Sequence, residues 1–374
     1  KIDTDVMARM YTSNGITPEL VERVAREQGV SFSVPEDFYS ELTEGHMSGE
    51  DTLPREHAGT GRPSDEDRHE KEQKTLGVDV SGIPKTRTLF YEKPYQREFK
   101  ASVVARLGNW VVLDRTLFYA EGGGQLSDRG ALWIGTKEIK VTDVQRLEDV
   151  ILHKLDRPSG IRKGQAVRGE IDWDRRHTLM KMHTCTHIVA GAARRVIGSH
   201  IWQAGAKKST ESSRIDLTHY RPFTQEELSE IERIANDIVS KDMPVKSEVM
   251  TRGEAEKAYG FTLYQGGASP GRMLRVVNTA NGFDVEACGG THLKSTGEVE
   301  LIKIIRTERI QDGVNRLEYT CGKPAFTYLG EQESIAKEIM RTLSGTPLAT
   351  RAVQSLKTEG DVAGDVKAAA AALS

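Results

Sequence analysis

The sequence predicts an α+β chain: a small β-barrel, then an antiparallel sheet with helices, flanked by helical segments. Three observations carry this reading. From about Arg87 to Ile171 apolar residues recur with a period of two, the spacing of half-buried strands. From 172 to 322 such stretches alternate with helical three/four spacing. Between Glu44 and Thr75 apolar residues almost vanish, leaving Gly, Ser, Pro and charge, as in a solvated linker. The 374 residues suffice for two or three domains and divide at these changes, into 1–43, 44–85, 86–171, 172–322 and 323–374.

Each element has its own signal. Thr17 and Pro18 mark a helix start, Leu20, Val21, Val24 and Ala25 form its apolar stripe, and Gly29 ends it. A second short helix follows Pro35, with Phe38, Tyr39 and Leu42 inward. The linker's His46, His57 and His69 receive no role. In the barrel, Phe99–Arg106 and Trp110–Leu113 form a hairpin across Gly108-Asn109. Strands near Ala131–Ile134, Ile139–Val144, Val150–Lys154 and Gln165–Ile171 follow, at the spacing of a small barrel. Gly122-Gly123-Gly124 is no phosphate loop, because neither a Lys-Ser/Thr pair nor a helix follows. It is either a mobile loop or a place of close backbone approach to a ligand or a neighbouring domain.

Next comes a helix capped by Asp172 and stopped by Gly198, with Leu179, Met182, Thr186, Val189, Ala193 and Val196 on one spacing. A strand lies near Arg214–Leu217. Thr224 with Glu227 makes a capping box for a helix to about Ser240. A strand near Val245–Met250 leads to a short helix capped by Thr251 and Glu254 and ended by Gly260. Strands near Leu274–Val277, Asp284–Ala287, Val299–Arg306 and Arg316–Thr320 complete one mostly antiparallel sheet. Beyond Pro324 the spacing is helical to Leu343, and the tail Asp365–Ser374 is Ala-rich.

Composition excludes several classes. Hydrophobic content is 37% and charged content 29%, low and somewhat high for a fully compact chain. No apolar run approaches the ~20 residues of a membrane span, so no membrane partner is expected. Three scattered cysteines give no disulfide framework and favour a reducing, cytoplasmic setting. Net charge is −3, yet between Arg175 and Arg221 stand nine Lys/Arg against two acids, Glu211 and Asp216. That segment is either a solvated face or a phosphate-binding one.

The chemistry lies in two spaced pairs. His183 and His187, four apart on a helix, present imidazoles on one face. Cys288 and His292, around paired glycines, offer a third and fourth ligand for zinc. Thr184 stands where a metallopeptidase carries its glutamate base, which argues against a zinc peptidase. No Cys-x-x-Cys pairs mark a purely structural zinc. Ligands from a helix and a distant loop converge as a substrate cleft does. Four ligands bound together would leave the ion to orient rather than to activate. Cys185 lies ~200° around the helix from His183 and is expected to be a packed core residue.

Gly122-Gly123-Gly124-Gln125, His183-Thr-Cys-Thr-His187 and Cys288-Gly-Gly-Thr-His292 together resemble the editing domain of alanyl-tRNA synthetases, over roughly Arg87 to Gly322. The resemblance implies the threonyl/alanyl-tRNA synthetase editing-type fold. It implies Zn2+ held by His183, His187, Cys288 and His292, and hydrolysis of tRNA(Ala) mischarged with serine or glycine. A synthetic pocket sized for alanine cannot strongly exclude either amino acid, so a second, hydrolytic site is needed. Gln203, sixteen residues after His187, falls where the family carries an editing-site glutamine. With Thr186 it is a candidate catalytic residue. Gly122, Gly123, Gly124, Gln125, Arg175, Arg176, Arg194 and Arg195 are candidate substrate or tRNA contacts.

The stretch from Ser13 to Val21 is similar to the end of a tRNA-recognition domain of archaeal type. The helix after Pro324 is similar to a linker towards a C-terminal dimerisation domain. Nothing in the chain resembles the ATP-binding class II core, so it reads as a segment of an alanine–tRNA ligase that works with the remaining domains. The helical segment 1–43 argues against a free-standing editing protein, and the Gly122–Gln125 loop against the threonyl branch. A non-catalytic RNA-binding module with structural zinc is the alternative from another class.

Overall fold

The computed structural model describes residues 21, 24–26, 29–30, 77–157, 160–267 and 272–343. The chain divides into two units, Lys1–Ser64 and Asp65–Ser374. In the first, residues 24–26 are helical and Gly29, at φ 69°, turns the chain out of the helix, donating to the Arg26 carbonyl. The expected helix after Pro35, the linker 44–75 and the Ala-rich tail lie outside the described residues.

The second unit opens with eight strands: β1 (Arg87–Thr88), β2 (Glu98–Leu107), β3 (Trp110–Leu113), β4 (Arg115–Thr116), β5 (Gly130–Ile134), β6 (Lys137–Leu147), β7 (Val150–Leu155) and β8 (Ala166–Ile171). Six of them close a barrel in the order β2-β3-β7-β6-β5-β8, every neighbouring pair antiparallel. Closure removes the free sheet edges. Leu113, Phe118, Leu132, Val144 and Ile151 fill it. His153 is also fully buried: its Nδ1 donates to the Val111 carbonyl and its Nε2 meets the Thr116 hydroxyl, at 3.0 and 2.8 Å.

Helix α1 (Trp173–Ile197) follows, with Asp172 accepting from the Arg175 amide and Gly198 closing the end. Most of its residues from Leu179 to Ala193 are buried on every side, so it is a central helix rather than an amphipathic surface one. Strands β9 (Gln203–Lys208) and β10 (Ser213–Thr218), helix α2 (Gln225–Ser240), strand β11 (Val245–Thr251), helix α3 (Arg252–Tyr259), strands β12 (Met273–Thr279), β13 (Asp284–Ala287), β14 (Ile302–Gln311) and β15 (Val314–Cys321), and helix α4 (Lys323–Leu343) complete the described chain. Both expected capping boxes form, on α2 and α3.

Three differences from the sequence reading stand out. The strands form two antiparallel sheets, β14-β15-β10-β9 and β11-β12-β13, instead of one. The strand expected from Val299 begins at Ile302, because Thr296–Val299 is a 3-10 turn and Glu300 takes φ 73°. Strand β9 was not expected: Gln-Ala-Gly-Ala-Lys-Lys has no β-branched or aromatic residue and pairs only because β10 lies beside it.

Candidate metal centre

Helix α1 carries His183 and His187 one turn apart, with ring centroids 5.7 Å from each other. The loop after β13 brings Cys288 and His292 against them. Its shape is fixed from several sides. A Cβ at Gly290 would overlap the His183 imidazole, so only glycine fits. Arg275 donates to the carbonyls of Cys288 and Gly290, and Tyr91 to that of Gly289. The four donor atoms lie within 4.8 Å of one another. Cys288 Sγ is 3.3 Å from His183 Nε2 and 3.3 Å from His292 Nε2.

Each imidazole is tied outward through Nδ1. That atom of His183 meets Gln125 Oε1 at 2.7 Å, that of His187 meets Asp284 Oδ2 at 2.6 Å, and that of His292 stands 3.3 Å from Thr184 Oγ1. The Nε2 atoms are left to face inward. Outer partners of this kind orient metal-bound histidines. Burial pushes His183 and His292 well below the ordinary histidine value. Burial also works against charge on His187, yet Glu286 and Cys288 raise its value. The Cys288 thiol is pushed up by burial, but His292 and His187 outweigh this and hold it well below an ordinary thiol. Three imidazoles and a thiol disposed to ionise match the donor preference of zinc.

His183, His187 and Cys288 of this group line a cavity of about 470 Å³. Gly122, Gly123 and Gly124 of the barrel's glycine loop line it too. The triple glycine makes a close backbone approach, to β9: at φ 73°, a Cβ on Gly124 would strike the Ala206 carbonyl. Gln203 lines the cavity against Gly266, where a Cβ would come within 2.9 Å of its Nε2. Thr186 lines it too, but its hydroxyl already donates to the Met182 carbonyl and accepts from Tyr319. It offers a fixed surface rather than a free proton. Cys185 sits in the core against Cys321, away from the four donors.

The expected substrate or tRNA contacts fare unequally. Gln125 is wholly buried and turned to His183 and Thr291, so it has no face for RNA. Arg176 is also sealed, ion-paired with Asp128 and donating to the Leu117 carbonyl. A run of charges reads as surface in one dimension, whereas this arginine closes a buried pair 48 residues away. Arg194 is mostly buried and bonded to Asp284, backing up His187. Arg175 is half-buried, and Arg195 is exposed beside the Phe283 ring. These two keep surface that an anion can reach.

Sequence reasoning missed Asp284, Glu286 and Lys208. The two acids alternate on β13 just ahead of Cys288, a signal that was available. Glu286 Oε1 is buried without a hydrogen-bond partner. Lys208 is buried at the cavity and donates to the Gly123 carbonyl at 2.9 Å. Nothing in its neighbourhood of sequence marks it.

Residues 1–175 match the family model for class II (A) tRNA synthetases. Residues 274–318 match that for the second additional domain of threonyl and alanyl tRNA synthetase. The class II relationship thus reaches into this chain further than its motifs indicate. The chain is 44% identical over 348 residues to the alanine–tRNA ligase of Pyrococcus abyssi, covering 93% of this chain and 36% of that protein. It is 45% identical over 353 residues to that of Pyrobaculum neutrophilum, covering 92% and 37%. With that of Methanopyrus kandleri it shares 43% over 345 residues, covering 91% and 36%.

Proposed function

We propose, for a chain that belongs to the alanyl-tRNA synthetase family and spans about a third of the length of these relatives, that its cavity hydrolyses serine or glycine esters of tRNA(Ala) and largely spares Ala-tRNA(Ala). One observation supports this above others: three of the four zinc-type donors, His183, His187 and Cys288, share a single cavity with Gln203 and the barrel's glycine loop. Hydrolysis consumes one water and releases the amino acid and the terminal ribose hydroxyl of the RNA. A zinc ion held by His183, His187, Cys288 and His292 would supply an orienting positive charge at the cavity. Thr186 gives a wall of fixed shape, and the Gln203 carboxamide a polar group at the edge of the cavity. Arg175 and Arg195 supply phosphate contacts, so binding weakens as salt rises.

The rest of the reading belongs to the same proposal. The segment boundaries at 44, 86, 172 and 323 separate tRNA recognition, linker, barrel, editing core and the path to a C-terminal dimerisation domain. The partners are tRNA(Ala) and the remaining domains of the parent synthetase, in the cytoplasm. Among the described residues, no helix is long and apolar enough to cross a membrane.

The test is deacylation of Ser-, Gly- and Ala-tRNA(Ala) side by side with this chain. Hydrolysis of the first two and sparing of the third is expected, with no adenylate formed from alanine and ATP. Binding of zinc and RNA without hydrolysis of any of the three would replace this reading with a non-catalytic RNA-binding module.

A further inference from the structure

We propose that Gln125, in the barrel's glycine loop, is a positioning residue of the metal centre: its one carboxamide sets both the ligand helix and the ligand loop. The inference rests on the metal reading of the four-residue cluster and not on ester hydrolysis. Gln125 Oε1 accepts the Thr291 amide at 3.1 Å and lies 2.7 Å from His183 Nδ1. Its Nε2 lies 2.9 Å from Thr291 Oγ1. One fully buried side chain thus joins α1 to the loop carrying Cys288 and His292.

The partners also settle protons. A backbone N–H can only donate, so the Gln125 atom facing the Thr291 amide is the oxygen. That same oxygen faces His183 Nδ1, so Nδ1 carries the ring hydrogen. The lone pair is then on Nε2, which faces Cys288 Sγ at 3.3 Å. This is the tautomer a metal ligand requires, and the barrel selects it.

The backbone behind the carboxamide is held on two sides. Gly122 and Gln125 exchange both amide bonds, at 3.2 and 2.9 Å. On the far side, the Lys208 amide donates to the Gly124 carbonyl and the Leu126 amide to the Lys208 carbonyl, at 2.6 and 3.3 Å. Gly124 permits this approach because any Cβ there meets the Ala206 carbonyl. The other two histidines find their outer partners in Asp284 and Thr184, from β13 and from α1 itself. His183 takes its partner from the barrel. The glycine loop therefore acts on the metal centre through Gln125, besides lining the cavity.

The experiment is zinc affinity by chelator competition on the whole chain, for wild type, Gln125→Leu and Gln125→Glu. Leucine removes all three bonds, and affinity should fall about 10- to 100-fold, the usual effect of losing an outer partner. Glutamate offers two acceptor oxygens, to the His183 and Thr291 N–H groups and to the Thr291 hydroxyl, and should recover most of the loss. A purely structural role lowers the melting temperature of the zinc-free chain and gives no such recovery. Gln125→Leu binding zinc as tightly as wild type, or Gln125→Glu no better than Gln125→Leu, overturns the inference. If Gln125→Leu does not fold, Thr291→Val removes one partner alone: weakened zinc binding supports the inference and unchanged binding overturns it. Wild type that binds no zinc sinks the metal reading together with this inference, whereas zinc effects without deacylation sink only the hydrolytic one.

Discussion

The barrel and the helical layer each bury histidine, and they use it differently. His153 in the barrel has both nitrogens satisfied nearby: Nδ1 donates to the Val111 carbonyl and Nε2 meets the Thr116 hydroxyl. That hydroxyl accepts from the Phe118 amide, so its own hydrogen is free for Nε2. His183, His187 and His292 are as deeply buried, but each has only Nδ1 tied outward, and their Nε2 atoms converge on one another and on Cys288. Burial alone therefore says little about a histidine's use. What distinguishes the cluster is that its donor atoms turn towards one another, an arrangement compatible with a bound cation.

The largest effect expected from this contrast is on the two cysteines of the helical layer. Cys288→Ala removes the thiol that two imidazoles face, and stoichiometric zinc should be lost in elemental analysis. Cys185→Ala should keep zinc, because Cys185 packs in the core and costs only ~1 kcal/mol of stability when truncated. The reverse result would mean that the donors are misassigned.

A smaller effect separates His153 from the cluster. An unfolded histidine titrates at about 6.5, while burial pushes His153 down to about 4. Between these values the unfolded chain takes up the proton, so this contribution to stability is complete above about pH 6.5 and is lost as pH falls towards 4. The loss is on the order of 3 kcal/mol. His153→Leu should flatten the pH dependence of chemical denaturation in that window and leave zinc content at pH 7 unchanged. An unaltered pH profile would show that His153 is not held neutral by the barrel.

What was legible in the sequence follows from range. His183 and His187 are one helical turn apart, and Cys288 and His292 flank a glycine pair, so local geometry alone proposes both halves of the cluster. The capping boxes at Thr224 and Thr251, and the hairpin at Gly108-Asn109, are equally local. What failed needs contacts across the chain. In the sequence Arg176 reads as one more cation of the basic segment, because Asp128, its buried partner, is 48 residues away. In the sequence Gln125 reads as a substrate or tRNA contact, because its partners lie 58 and 166 residues off. Strand β9 carries no propensity of its own, and the split into two sheets is a matter of which strands pair, which periodicity does not encode.

X-ray absorption at the zinc edge of the zinc-loaded chain reads the donor set itself. Three imidazole nitrogens at about 2.0–2.1 Å and one sulfur at about 2.3 Å are expected around the ion. A shell without sulfur, or one made of oxygen ligands, would contradict this donor set.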